Sequence, residues 1–331
     1  MVLNLKIGIV GLPNVGKSTL FNALTNAGAL AANYPFATIE PNVGIVPVPD
    51  ERLDVLAKMY ETNKIVPATV EFVDIAGLVA GASKGEGLGN KFLAHIRECQ
   101  AICHVVRAFK NNDIVRADNK IEEDIVAQAK DDIDIINLEL QLADDETKAK
   151  VEAKRKKDPA DENIPYLTDK PVIYMFNVDE NGLTDTDLQL QLKNLVAPAE
   201  AIFVNAKLEE EMSGMSREER KEFLQSYGVK NDALGELIKA AYTTLGLQSF
   251  LTAGKKEWRA WTIKKGATAP EAAGTIHTDF ERGFIAASIC NFNDLKELGS
   301  EQAVRAAGKL RTEGKTYVMQ DGDVVEFKFN V

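Results

Sequence analysis

Short apolar segments rich in β-branched residues alternate with segments that suit helices along much of the chain. This alternation is typical of an α/β fold in which helices cover both faces of a mainly parallel sheet. The predicted strands are residues 6–10, 43–48, 69–75, 101–109, 171–178 and 201–205. The second and third of them lie close together in the sequence, which favours one hairpin-like antiparallel pair.

A long charged segment interrupts this alternation. Between residues 122 and 157 apolar residues recur at helical spacing, and positions 154–157 read Lys-Arg-Lys-Lys. We expect a projecting helical arm, inserted at about residues 120–168 of the first domain. Its basic run has two interpretations, a solvated helix end or a contact with RNA or another partner.

The pattern changes after Phe250 to short alternating strands around one helix, which predicts a small α+β domain. The predicted elements are strands at 257–263, 316–318 and 324–329 and a helix at 300–312. The pair Asp321-Gly322 indicates a tight turn before the last strand. We therefore expect a first domain at residues 1–246 and a second at 247–331.

Composition narrows the classes of partner. The chain has 331 residues, 45% of them hydrophobic, and a formal net charge of −11. Such acidity argues against DNA binding and against a surface that grips RNA everywhere. The absence of a long apolar run and of a secretory signal predicts a cytoplasmic protein without a membrane partner. Cys99, Cys103 and Cys290 are expected to be reduced core residues.

The part after residue 247 is nearly neutral, so RNA contact is more expected there. Arg305, Lys309 and Arg311 have helical spacing, and Lys315 follows. On the predicted helix they form a basic cluster, which suits either contact with rRNA phosphates or a solvated helix face.

Residues 11–18 fit the phosphate-loop pattern G-x-x-x-x-G-K-[ST] between a predicted strand and a predicted helix. The glycines let backbone N–H groups approach phosphate oxygens, and the helix N-terminus adds positive potential. Lys17 is predicted to reach the β- and γ-phosphates and to act in catalysis, and Ser18 to bind Mg²⁺. The other nucleotide-binding residues predicted here are Asn14, Val15, Gly16 and Thr19. The motif leaves the base open.

Downstream residues indicate a nucleotide switch. Asp74 and Gly77 form a D-x-x-G motif at the end of a predicted strand, where Asp74 can hold Mg²⁺ and the Gly77 N–H can sense a γ-phosphate. Thr38 lies where a loop could bring a second hydroxyl to Mg²⁺, although a plain β-branched loop residue is the alternative. The loop at residues 81–89 is a candidate switch loop because it is rich in glycine.

The residues expected at the base differ from a guanine site. Such sites usually carry N-K-x-D, whereas this chain has Asn177-Val178-Asp179-Glu180. Val178 and Glu180 should reduce preference for guanine, and adenine can be read by Asn177 and backbone groups. Restoring Lys and Asp at the two positions is expected to favour GTP. The other residues predicted to contact the base are Phe109, Asn205, Ala206 and Lys207.

Hydrolysis is expected to be slow, since Leu78 occupies the position that follows D-x-x-G, where related switches carry a water-orienting Gln. The missing group has three possible sources: a switch-loop backbone, a partner such as the ribosome, or a monovalent cation. Asn14 is a candidate K⁺ ligand, with tolerance of turn geometry as the alternative reason for an Asn there.

The chain resembles the YchF family, also called Obg-like ATPases, which are P-loop NTPases of the translation-factor class. The resemblance rests on residues 11–26, 33–36, 38–42, 71–78, 81–89, 252–257, 266–270, 276–281 and 321–324. It implies a G domain with a helical arm, a C-terminal ubiquitin-like TGS domain, preference for ATP over GTP, and association with ribosomes.

The chain departs from the family pattern in two places. Its arm, between Asp144 and Lys170, is much shorter than the family's helical hairpin, and Arg116 stands where a His is common. The resemblance therefore implies no arm-dependent contact for this chain, and no acid–base role is assigned to Arg116. Two rival functions remain: a GTP-specific regulatory GTPase, and an RNA- or ribosome-binding adaptor with incidental hydrolysis.

Overall fold

A computed structural model describes residues 5–31, 42–61, 64–75, 88–110, 124–155, 166–230, 232–253 and 257–330. The chain forms two compact units. The first contains residues 5–46 and 71–241, and the second contains residues 47–70 and 242–330. Residues 47–70 lie inside the predicted first domain, yet they pack in the second unit.

The first unit is built on a six-stranded sheet. Its strands are β1 (Lys6–Val10), β2 (Val43–Pro47), β4 (Thr69–Asp74), β5 (Ala101–Ala108), β6 (Val172–Val178) and β7 (Glu200–Val204). Their order in the sheet is β2-β4-β1-β5-β6-β7, and the strands from β4 to β7 in that order run parallel. All residues of β5 are buried, as expected for a central parallel strand, although two of them, His104 and Arg107, are polar.

The antiparallel pair predicted near the start of the chain is present, because β2 and β4 run in opposite directions. The Asp74 N–H donates to the Asn42 carbonyl at 2.9 Å, and the Val48 N–H donates to the Ala68 carbonyl at 2.8 Å. The connection is longer than a hairpin turn, since it contains α2 (Glu51–Met59) and β3 (Ile65–Val66).

The first unit also contains helices, several of which pack on this sheet. The helices are α1 (Lys17–Ala31), α3 (Leu88–Glu98), α4 (Ile125–Arg155), α5 (Thr186–Val196), α6 (Ala206–Glu211), α7 (Arg217–Ser226) and α8 (Ala233–Thr244). The helix α1 contacts β1 and α6, and α4 contacts β5 and α5.

Each of the three cysteines is buried and free, as expected for reduced core residues. No helix in the described ranges is long and apolar enough to cross a membrane.

The predicted projecting arm is wrong for the first part of α4. Ala129, Ile133, Ile136, Leu140 and Ala143 are all buried. The apolar spacing that suggested an amphipathic arm is instead the core-facing stripe of a helix that packs on the sheet. In the rest of α4, from residue 145 to residue 152, most of the described side chains are exposed. The basic run at 154–157 lies outside the side chains that the structure describes.

Asp144 joins α4 to the segment that begins at Leu167. Its buried carboxylate accepts hydrogen bonds from the Leu167 N–H at 2.8 Å, the Thr168 N–H at 2.9 Å and the Thr168 hydroxyl at 2.8 Å. The chain therefore leaves the core after Asp144 and returns to the same carboxylate at Leu167.

The second unit has its own sheet, to which β3 also belongs. The remaining strands are β8 (Leu247–Ala253), β9 (Trp258–Lys264), β10 (Phe284–Asn291), β11 (Arg311–Glu313) and β12 (Asp323–Phe329), and the helices are α9 (Ala269–Ile276), α10 (Thr278–Arg282), α11 (Phe292–Leu298) and α12 (Glu301–Ala306). The strand order is β11-β10-β12-β8-β9-β3. The core of this unit includes Phe250, Ile263, Phe284, Ile289 and Val325.

Residues 47–70 complete this second unit. The strand β3 pairs in parallel with β9, and the rings of Tyr60 and Trp258 lie 5.0 Å apart between centroids. The Arg52 guanidinium binds Asp50 and Asp321, each at 2.8 Å. Nothing in the apolar pattern distinguishes this segment from the surrounding first domain.

Two predicted elements of the C-terminal part differ from the structure. The predicted helix 300–312 ends at Ala306 because Gly308 adopts a φ of +70°, with the N–H of Lys309 bonded to the Val304 carbonyl at 3.0 Å. The predicted strand 316–318 is reduced to one bridge, between Val318 and Thr268. The predicted tight turn is confirmed, since the Asp323 N–H donates to the Gln320 carbonyl at 3.2 Å.

The basic cluster predicted on that helix is wrong. Arg305 remains helical, Lys309 lies in the turn and Arg311 lies on β11. Each has an acidic neighbour: Glu301 at 3.6 Å, Asp294 at 2.6 Å and Glu313 at 3.6 Å, respectively. Because the helix ends early and the charges are paired, the three residues form no helical cationic face.

We predict that Asp144→Ala lowers the free energy of unfolding by about 2–4 kcal/mol, because two backbone N–H groups and a hydroxyl lose their acceptor. Urea denaturation followed by circular dichroism measures this change. The matched control is Asp145→Asn, at an exposed neighbour whose ion pair with Lys148 is 3.6 Å long. Equal midpoints for Asp144→Ala and the control would contradict the joining role of Asp144.

Candidate functional site

The predicted phosphate loop joins β1 to α1, and its backbone requires small residues. Gly16 has a φ of +100° and Asn14 a φ of +62°, both in the region that side chains disfavour. A Cβ atom added to Gly16 would lie 2.5 Å from Nδ2 of Asn177, and one added to Gly11 would lie 2.4 Å from the Val105 carbonyl oxygen. The loop is therefore packed against β5 and β6 too closely for larger residues.

Lys17, Ser18 and Asp74 interact at the end of this loop. The Lys17 side chain is buried, and its Nζ donates to the Leu12 carbonyl at 2.8 Å. Burial lowers the pKa of Lys17, and the charge of Asp74 opposes that shift. Burial raises the pKa of Asp74, while the charge of Lys17 and a hydrogen bond with Ser18 lower it. The sequence predicted that these three residues serve one phosphate and metal site, and the structure brings them together.

The oxygen atoms present suit Mg²⁺. A hydroxyl and a carboxylate are hard ligands, and this ion commonly uses one or two protein oxygens together with phosphates and water. Among the described residues no group of three or more His, Cys, Asp or Glu side chains is arranged for a metal. Ser18 and Asp74 are therefore the described residues that would hold Mg²⁺. Thr38 and Gly77 lie outside the described residues.

Asn177 connects the phosphate loop to the element that follows β7. Its Nδ2 donates to the Val15 carbonyl at 2.9 Å, and its Oδ1 accepts from the Ala206 N–H at 3.0 Å. The side chain is buried. Both ends of the amide have protein partners, so the contact of Asn177 with a base stays a prediction, whereas its connecting role is observed.

Val178 corrects one expectation. Its side chain is 1% exposed and belongs to a core cluster with Ala108, Ile133 and Leu192. A lysine at this position would place its ammonium in that core instead of against a base, so the predicted double substitution is unsuitable. Glu180 differs, because it is exposed and its side chain makes no capping bond to the following turn. Any contact between Val178 and a nucleotide would come from its backbone.

Phe109 follows β5 and has a partner that the sequence did not indicate. The Arg107 guanidinium lies 4.6 Å from the centroid of the Phe109 ring, and its Nε donates to the Phe109 carbonyl at 3.4 Å. Arg107 is buried. The ring is thus held from one side by a cation.

The element after β7 begins with Asn205, whose Oδ1 accepts from the Leu208 N–H at 3.0 Å and caps α6. The Ala206 N–H bonds to Asn177, and Lys207 is exposed with its Nζ 3.8 Å from Glu211. We call residues 205–207 the base-side element.

The described site residues lie at one edge of the sheet. The phosphate loop follows β1, Asp74 ends β4, Phe109 follows β5, residues 177–180 end and follow β6, and the base-side element follows β7. These strands are parallel, so their carboxyl ends share an edge, which is where α/β sheets bind ligands. His104 lies within β5, and burial, followed by the charge of Lys17, lowers its pKa to about 3. It is therefore neutral near pH 7.

Two protein-family models match parts of this chain. Residues 6–139 match the family model MMR_HSR1, described as "50S ribosome-binding GTPase". Residues 247–330 match YchF-GTPase_C, described as "Protein of unknown function (DUF933)".

Full-length relatives extend the match. Proteins named "Ribosome-binding ATPase YchF" from Haemophilus influenzae and Bacillus subtilis are 48% and 47% identical, and each alignment covers 99% of this chain and 100% of the relative. The first alignment spans 369 positions against 331 residues, so that relative has residues without a counterpart here.

Solved structures match over the same length. The Schizosaccharomyces pombe YchF GTPase is 37% identical, with a TM-score of 0.81 and 98% of each chain covered. A GTP-binding protein from Pyrococcus horikoshii shares the fold at 18% identity, with a TM-score of 0.63, 98% of this chain and 100% of that chain covered. With full-length relatives at this level of identity and both regions matched, the chain belongs to the YchF family.

Proposed function

We propose that this protein is a Mg²⁺-dependent nucleotide switch that binds ATP, hydrolyses it slowly to ADP and phosphate, and associates with ribosomes in the cytoplasm. The observation that carries the proposal is the phosphate loop with Lys17, Ser18 and Asp74 at its end. The relatives' name, ribosome-binding ATPase, supports the ribosomal partner. Neither DNA nor a membrane is part of the proposal.

The residues of this site divide the chemistry between them. The buried ammonium of Lys17 would stabilise negative charge on the phosphoryl oxygens. This electrostatic attraction is stronger away from bulk water. The loop N–H groups would orient the phosphates, and the hydroxyl of Ser18 and the carboxylate of Asp74 would hold Mg²⁺. When bound, the ion supplies charge neutralisation and positioning.

The attacking water needs a further group. Gly77 and Leu78 lie outside the described residues, so the sequence alone argues for slow turnover. Asn14, which is exposed and has a positive φ in the loop, keeps its proposed role as a K⁺ ligand. A K⁺-dependent rate would support that role.

Preference for ATP rests on the base side. Glu180 replaces the shorter carboxylate of a guanine site, and Val178 is core. Weaker GTP binding remains part of the proposal. The relative from Schizosaccharomyces pombe is named a GTPase, so a GTP-specific enzyme is the second candidate.

We expect Lys17→Ala and Ser18→Ala each to weaken Mg²⁺-nucleotide binding by tenfold or more, on the order of 1.4 kcal/mol or above, through loss of phosphate and metal contacts respectively. Isothermal titration with and without Mg²⁺ measures this effect. For Ser18→Ala the loss should vanish without Mg²⁺, because Ser18 acts through the ion. Wild-type affinity of Ser18→Ala for Mg·ATP would remove that hydroxyl from the metal site.

For base selection we predict that Glu180→Asp alone shifts the ratio of ATP to GTP affinity toward GTP, by roughly tenfold if the shorter carboxylate forms a bidentate contact with guanine. Competition binding gives the ratio. Glu222→Asp, at an exposed position on α7, is the matched control and should leave it unchanged. An unaltered ratio in Glu180→Asp would place selection elsewhere, with Phe109 the next residue to test.

The ribosome partner is tested by co-sedimentation of the full chain with ATP or ADP. A switch should associate differently in the two nucleotides. At a nucleotide concentration that saturates only the wild type, Lys17→Ala should lose that difference because it binds nucleotide more weakly. An adaptor with incidental hydrolysis should instead co-sediment equally in both nucleotides, with or without Lys17. That second result would overturn the switch.

A further inference from the structure

The base-side element depends on a very short helix. The helix α6 has six residues, so few hydrogen bonds within it fix its position, and helices of this length gain their order from tertiary contacts. The element at its start is bonded through Asn177 to the phosphate loop. A shift of α6 therefore moves the wall of the proposed nucleoside site.

Apolar contacts help to hold α6. Leu208 and Met212 are buried, and α6 contacts α1, which begins with Lys17. Such contacts favour burial of one face, but they are not directional. A hydrogen bond or ion pair of defined geometry can fix rotation and register where apolar packing leaves several arrangements of similar energy.

Glu209 provides a directional contact of this kind. It lies in the first turn of α6, where its N–H donates to the Asn205 carbonyl at 3.0 Å. Its side chain is only 3% exposed, and its carboxylate accepts from Arg220 on α7 at 2.8 Å. The same guanidinium nitrogen lies 3.7 Å from Asp232, and the Arg220 side chain is 15% exposed.

This pair is a poor choice for stability alone. Burial raises the pKa of Glu209 to about 7, against the attraction of Arg220 and with a further increase from Asp232. Buried ion pairs are often no more stabilising than apolar residues of the same volume, whereas removal of one partner is costly. Net stabilisation of the fold therefore does not account for the ion pair between Glu209 and Arg220.

We infer that Glu209 and Arg220 are positioning residues for the nucleoside half of the site. Their ion pair fixes α6 to α7 and thereby holds the base-side element at the distance that a base requires. Both act through α6 without touching the nucleotide. The inference rests on the proposed function, because it presumes a nucleoside triphosphate in the site.

Comparison of two ligands separates positioning from general stability. Mg·ATP uses the phosphate loop and the base side, whereas inorganic tripolyphosphate with Mg²⁺ uses only the phosphate loop. In the full chain we expect Arg220→Gln and Glu209→Gln to weaken Mg·ATP by about five- to tenfold, as for loss of one coupled pair. Affinity for tripolyphosphate should stay within about twofold. Titration calorimetry measures both.

The matched control is Glu210→Gln, an exposed neighbour on the same helix, for which both affinities should stay unchanged. If a single variant fails to fold, the double variant Glu209→Leu with Arg220→Met replaces the pair by apolar side chains of similar size, a change that buried ion pairs commonly tolerate without loss of the fold. The double variant should bind ATP more weakly than the wild type and tripolyphosphate with wild-type affinity. The reason is that apolar contact does not fix the orientation of α6 as the ion pair does.

Three results would overturn the inference: unchanged ATP affinity in the single variants, equal weakening of both ligands, or wild-type ATP affinity in the double variant. Failure of the proposed function gives a different result, because it shows in the wild-type chain. A GTP-specific enzyme would bind tripolyphosphate but not Mg·ATP, and a chain without a nucleotide site would bind neither.

Discussion

The site depends on the amide of Asn177, because it joins two segments that the sheet alone would leave separate. The phosphate loop follows β1, and the base-side element follows β7, with β5 and β6 between those strands. Asn177, near the end of β6, donates to the first and accepts from the second. Only a buried group with a donor and an acceptor on one short side chain can satisfy both backbone partners at once. The constraint also explains why Gly16 tolerates no side chain, since a Cβ there would meet the same amide.

Buried polar groups recur wherever the first unit has to fix a loop. Asp144 receives the returning chain after α4, Arg107 holds Phe109, and Glu209 holds α6. In each case a charged side chain replaces apolar packing at a cost in desolvation that hydrogen bonds offset. The directional contacts of these side chains fix the position of segments that are too short or irregular to be ordered by secondary structure.

The chain passes from the first unit to the second and back before it reaches Asp74. After β2 it leaves the first sheet, contributes α2 and β3 to the second unit, and returns as β4, which ends at the predicted metal ligand Asp74. The strand that carries Asp74 is therefore covalently continuous with a segment that Arg52, Tyr60 and β3 bind into the C-terminal sheet.

The sequence by itself determined the features that depend on local spacing. The phosphate loop, the parallel strands around it and the turn before β12 each follow from the order of a few neighbouring residues, and the structure contains them. The end of α12 was also local, since Gly308 indicates it, although the prediction extended the helix past that glycine.

Only the tertiary structure decided which surfaces meet. The helical spacing of apolar residues is the same for an arm and for a helix packed on a sheet, so the burial of α4 could not be predicted. The apolar side chain of Val178 suits either a core position or contact with a base. Its buried neighbours in the structure show that it is a core residue. The partners of Lys309, Arg52 and Glu209 lie 15, 269 and 11 residues away along the chain. Such pairs form because folding brings their backbones together, and no local pattern encodes that meeting.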